Sequence, residues 1–116
     1  MKFGYINNNI EYIANHLEKS LNIKLEDNRG IEPYDDEEGD FTYFGDMCGL
    51  SISSLIDHGY SAYPRKGLKE GYPIIVSCNV VKGNTFEDKQ RKAELIKSAL
   101  LQKDGVEVID YEIYGD

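Results

Sequence analysis

The chain has no tryptophan, three prolines and two cysteines in 116 residues, and its longest purely aliphatic run is Ile74-Ile75-Val76. Each scarcity removes a class. A run that short falls far below the ~20 apolar residues a membrane-spanning helix needs, so no membrane partner is expected. Cys48 and Cys78 belong to no C-x-x-C pair, which leaves metal and thioredoxin-like readings without a spacing to rest on. A disulfide would require Cα atoms about 5.5 Å apart and an oxidising compartment, and nothing in the sequence points to either. Cys78 lies inside the strongest strand signal and is expected to be a buried small hydrophobe; Cys48, between Asp46 and Gly49, has no such context. The opening MKFGYINNNI carries one lysine and no apolar core of a secretory signal, so a cytoplasmic location is the expectation. No linker composition and no internal repeat appears. One domain is therefore expected over 1–116, large enough to bury roughly two thirds of its unfolded surface.

Positive charge is what the chain lacks most unevenly. Residues 26–46, EDNRGIEPYDDEEGDFTYFGD, hold nine acids and a single base, Arg29, and so carry a formal −8. The whole chain also carries −8, so everything outside this stretch is neutral. Such a concentration speaks to partners and solubility more than to fold.

Around that stretch the patterning is ordinary. Ile10, Ile13, Ala14, Leu17 and Leu21 recur at helical spacing, with the run Asn7-Asn8-Asn9 offering N-caps and Glu11 standing three residues after Asn8 like the acid of a capping box. A second helix is expected from Thr85, its N-cap, to about Lys103, burying Phe86, Ala93, Ile96 and Leu100 with Leu95 and Ala99 beside them, and with Gly105 near its end. Strands are expected at 41–44, at Ile74–Val81 and at 106–114. Residues 50–56 read as a strand, with a short helix nearly as good a match, and residues 23–25 as a short strand. Residues 1–6 are a lead-in or an edge strand. Residues 34–40 hold five acids and no aliphatic residue, the composition of a solvated loop. Strands cluster between helices without alternating with them. That order favours α+β: a mostly antiparallel sheet of four to five strands with two helices packed on one face. The last two strands, joined through the second helix, would be parallel if adjacent.

Four chemistries can be weighed. Aligning Gly39 with the glycine of a calcium-binding EF-hand loop puts Tyr34 first and Gly45 twelfth, where acids are needed, so no metal site is assigned. No signature of a nucleophile elbow, zinc protease, P-loop or dinucleotide fold is present, and no catalytic residue or cofactor is assigned. The residues that would seat an enzyme are Asp57 and His58, where an apolar run ends. Tyr60, Tyr63 and Tyr72 interleave with Arg65, Lys66 and Lys69, the mixture that stacks bases and holds phosphates. A pI near 4.7 argues against direct nucleic-acid binding.

Protein partnership remains. Dense carboxylates flanked by aromatic residues combine electrostatic steering with interface anchors. The expected surface is Glu32, Tyr34, Asp35, Asp36, Glu37, Glu38, Asp40, Tyr43 and Asp46, with Tyr34 and Tyr43 as anchors. Its natural partner is a basic protein such as a nuclease, whose phosphate cleft the carboxylates would fill. In size and charge the chain is similar to bacterial immunity proteins that neutralise a toxin. Three other readings stand beside this one, the first a small enzyme with a pocket near Asp57, His58 and the end of the Ile74–Val81 strand. In the others the acidic stretch is a solubilising loop, or it meets the Arg65 to Lys69 segment of a second copy in a homodimer.

Overall fold

The computed structural model of the chain describes residues 1–6, 9–29, 39–65, 70–103 and 105–112. The first apolar stripe forms the buried side of helix α1 (Ile10–Leu21), where Ile13 and Leu17 are fully enclosed. Asn9 is its cap: the side-chain Oδ1 accepts from the Tyr12 N–H at 3.1 Å. Glu11 is therefore one residue short of the capping-box position and pairs instead with Arg29 at 2.9 Å. The helix ends on Asn22 at φ 53°, in the left-handed region that asparagine tolerates.

Helix α2 (Phe86–Leu101) starts where Thr85 Oγ1 accepts the Asp88 N–H at 3.1 Å. Ala93, Ile96, Ala99 and Leu100 are buried, as expected. Phe86 is not: it is 61% exposed, and Leu95 is 53% exposed. The inward place in the first turn belongs to Lys89, which is buried. His16 Nε2 donates to the Ala99 carbonyl at 2.5 Å and ties α1 to α2.

Among the described residues six strands form one sheet: β1 (Lys2–Tyr5), β2 (Glu26–Asp27), β3 (Phe41–Phe44), β4 (Cys48–Ser54), β5 (Ile74–Val81) and β6 (Val106–Asp110). Their order is β2-β3-β4-β5-β1-β6, with every neighbouring pair antiparallel. The α+β expectation holds, with six strands rather than four to five. Two of them escaped the pattern. Residues 2–5 are no edge but run between β5 and β6, with Phe3 and Tyr5 in the core and Lys2 and Gly4 on the opposite side. The short strand expected at 23–25 falls instead on Glu26–Asp27, while Leu25 is buried and its N–H reaches the Glu18 carboxylate at 2.9 Å. Residues 50–56 divide: strand to Ser54, then a single tight helical turn, Ile56–His58. The final strand is an edge, as its alternation suggested, but its ladder stops at Asp110; Ile113 and Tyr114 lie outside the described residues. β5 and β6 do run parallel, separated by β1.

Core and bare side follow from the register. Leu50, Ile52, Val76 and Cys78 project with Phe3 toward the helices and join Ile13, Leu17, Ile96 and Leu100 in one cluster. The other side of the sheet carries Thr42, Phe44, Gly49, Ser51, Ser77, Asn79 and Lys2. Part of that side is roofed. Tyr63 and Tyr72 exchange backbone hydrogen bonds at 2.9 and 2.8 Å, and the Tyr72 ring lies on Gly4, where a Cβ would collide with it. Tyr72 Oη donates to Glu107 at 3.2 Å, and Arg65 pairs with the same carboxylate at 2.6 Å. Much of the tyrosine-and-base segment thus packs on the body; Lys66 and Lys69 lie outside the described residues. Among the described residues no helix is long and apolar enough to cross a membrane.

Candidate functional site

The acidic stretch occupies one edge of the sheet. It begins on β2, the outermost strand, and returns through β3 to the turn before β4. Asn28 and Asp40, on either side of residues 30–38, are clamped together. Asn28 N–H donates to the Asp40 carbonyl at 2.8 Å, and Asn28 Nδ2 donates to Thr42 Oγ1 at 3.0 Å. Gly39, at φ +86°, passes so close to Ser53 Oγ and the Ile52 carbonyl that a side chain would not fit. The stretch's one base, itself exposed, is engaged by acids: Arg29 forks onto Asp27 at 2.8 and 2.9 Å, reaches Glu11 at 2.9 Å and lies 4.7 Å from the Phe41 ring centre. That guanidinium holds the Asp27 carboxyl below the ordinary carboxylate range.

Of the residues expected to bind a partner, Glu32, Tyr34, Asp35, Asp36, Glu37 and Glu38 lie outside the described residues. Asp46 is exposed, as a contact residue must be. Tyr43 points to the helix side of β3, half-buried against the core, with its phenol over Gly45. Asp40 departs furthest from its expected place in a solvated field, being only 2% exposed. The β3 ladder extends one residue to reach it, with Asp40 N–H on the Ile52 carbonyl at 2.9 Å, and this turns the carboxylate onto the end of β4. There Oδ2 accepts the Ser54 N–H at 2.8 Å and Oδ1 accepts from His58 Nε2 at 2.6 Å.

Asp57 and His58 therefore face the root of the acidic stretch. Asp57 Oδ2 accepts from Ser54 Oγ at 2.8 Å, so this hydroxyl serves Asp57 while His58 serves Asp40. A nucleophile paired with its base needs the serine on the imidazole, which this arrangement does not provide. Among the described residues no group of three or more His, Cys, Asp or Glu side chains is placed to hold a metal. Cys48 and Cys78 are both buried and free on the neighbouring strands β4 and β5, and Cys78 Sγ donates to the Val80 carbonyl at 3.6 Å. Interaction with the Cys78 thiol, with burial, pushes the Cys48 thiol well up.

One feature escaped sequence reasoning. A cleft of about 600 Å³ opens on the bare side of the sheet, lined by Glu26, Asn28, Thr42, Phe44, Ser51 and Asn79 among others. Phe44, 76% exposed, lies across Gly49, and the Lys82 ammonium sits 3.9 Å from its ring centre. The available signal was the small polar set Ser51, Ser53 and Ser77 alternating with Ile52 and Val76, which leaves one side of the sheet low and wet. A second hollow of about 400 Å³ lies between the helices, beside Leu21, Met47, Leu95 and Ala99. A third, of about 220 Å³, is lined by Lys2, Ser77, Asn79 and Asp110.

Comparison with protein-family models, with curated proteins and with solved structures found no match.

Proposed function

We propose that the protein is a small acidic binding protein of the immunity type, which masks a basic, nuclease-like protein by presenting residues 32–46 to its phosphate-binding cleft. The observation that carries this reading is the mounting of the charge. A stretch holding the chain's entire net charge is attached by two hydrogen-bonded ends to the edge of a rigid sheet, and its one base is tied to Asp27 and Glu11. A segment anchored at both ends loses less conformational entropy on binding than a free tail would. Its field steers an oppositely charged partner from a distance. The role is binding and not catalysis, it requires no cofactor, and its setting is the cytoplasm, where basic nucleic-acid enzymes would need restraint. The described parts of the Asp57 and His58 region support the enzyme reading less. Both side chains are engaged in bonds that close the end of the sheet.

The test is affinity capture with two baits, the native chain and one carrying Asp35→Asn, Asp36→Asn, Glu37→Gln and Glu38→Gln. A basic protein held by the native bait, lost by the neutral one and released as salt shortens the Debye length below ~8 Å is the expected result. Identical captures by both baits, or an interaction indifferent to salt, would refute the electrostatic mechanism. The stretch would then be a solubilising segment.

A further inference from the structure

We infer that the cleft on the bare side of the sheet receives an arginine-bearing segment of the basic partner, its guanidinium meeting Glu26. This inference rests on the binding reading above and names where that partner is gripped.

Continuity is the first argument. Glu26, Asn28, Thr42 and Phe44 belong to the acidic stretch and also line the cleft, so a partner drawn to residues 32–46 arrives at its rim. Asn28 serves both, lining the cleft while clamping the root of the stretch.

Charge is the second. Among the described residues that line the cleft Glu26 is the ionic one, and it is exposed; Asn28, Thr42, Ser51 and Asn79 add neutral oxygens that can accept hydrogen bonds. An anionic ligand would meet Glu26 and the rest of a stretch that carries −8 in all. Among the described residues a divalent cation would find a single carboxylate there, too few for a hard-cation site. A saccharide would want a free aromatic face, but the Phe44 ring already carries the Lys82 ammonium at 3.9 Å. What suits one carboxylate beside a row of neutral acceptors is a planar donor fork, which arginine has and lysine does not.

Size is the third. At about 600 Å³ the cleft falls within the ~300–1,000 Å³ of ligand sites, room for a short run of chain rather than a lone ion.

The probes are fluorescein-labelled hexa-arginine and hexalysine peptides, titrated into the full chain at low salt and followed by anisotropy and by amide chemical shifts. Hexa-arginine is expected to bind more tightly than hexalysine and to shift the amides of Gly49, Ser51 and Asn79. Glu26→Gln, a change at an exposed side chain, is expected to weaken hexa-arginine about tenfold, the scale of one lost charge-assisted hydrogen bond. Ser51→Leu, which fills the cleft, is expected to abolish the preference for arginine and to leave hexalysine binding unchanged. The four-fold neutral variant of residues 35–38 is expected to weaken both peptides. Equal affinities, with shifts confined to the acidic stretch, would overturn the cleft as the site while the binding reading survived. Binding of neither peptide would overturn both. The wild-type shifts decide the matter even if Ser51→Leu fails to fold.

Discussion

Replacing Asp40 by alanine tests whether this acid belongs to the solvated field or to the structure beneath it. The side chain is 2% exposed and accepts two hydrogen bonds, from the Ser54 N–H at 2.8 Å and from His58 Nε2 at 2.6 Å. Alanine leaves the Ser54 N–H, in a residue itself 2% exposed, without an acceptor, at a cost of about 1–3 kcal/mol. It also removes a hydrogen bond to a charged group, worth about 1.5–3 kcal/mol, taken near its lower end because the His58 side chain is 26% exposed and partly solvated. The sum is about 2.5–4.5 kcal/mol, a large part of the ~5–15 kcal/mol that holds such a domain folded. Urea unfolding should show a lowered midpoint at constant slope. Asp40→Asn keeps one acceptor oxygen for Ser54 and should cost about 1–2 kcal/mol. His58→Ala alone should also destabilise. Because the two residues share one bond, the double variant should fall short of the sum of the single losses by about 1–2 kcal/mol. A loss below about 0.5 kcal/mol for Asp40→Ala, the range of ordinary surface substitutions, or strict additivity with His58→Ala, would refute the burial argument.

Three further outcomes follow from single contacts. Gly4→Ala puts a methyl group into the Tyr72 ring and should cost about 1–3 kcal/mol, read as a fall in Tm. Tyr72→Ala in the same chain should recover part of that loss, and no recovery would place the strain elsewhere. Cys48 and Cys78 are buried, so neither should react with a thiol reagent until urea unfolds the chain; native-state reaction within seconds would contradict their burial. Burial and a 2.6 Å hydrogen bond to Glu94 push the Tyr111 phenol up to about 12 from its usual 10.0. The folded chain then holds a proton that the unfolded chain has lost, so stability should decline as pH rises from 10.0 toward about 12. The 295 nm absorbance difference between wild type and Tyr111→Phe should titrate near that upper value, and one centred at the ordinary value would overturn the assignment.

Where local spacing decides the outcome, the elements were legible. The stripe Ile10, Ile13, Ala14, Leu17 gives α1 because residues three and four apart share a helix face. Thr85 begins α2 because its hydroxyl satisfies a free N–H of the first turn. Phe86 and Lys89 show where spacing fails. Both fit the inward face by period, yet the exposed one is the aromatic, since burial depends on what the sheet offers at that height. Lys2 to Tyr5 gave too little pattern to read as an interior strand, because Lys2 and Gly4 face a side that Tyr63 and Tyr72 roof from sixty residues or more away.

The concentration of charge in 26–46, the α+β order of elements and the two helix faces are properties of the linear chain, since each rests on composition or on neighbours within a few residues. Only the tertiary structure could separate Asp40 from its acidic neighbours. In sequence it is one more carboxylate after Gly39; in space it ends a ladder and meets Ser54 and His58 from another segment. The same holds for the cleft, which exists because small residues from β4 and β5 stand beside the acidic edge formed by β2 and β3. Period and propensity act along the chain, but hydrogen bonds and cavities are made by residues far apart in it, and strand order alone decides which of them meet.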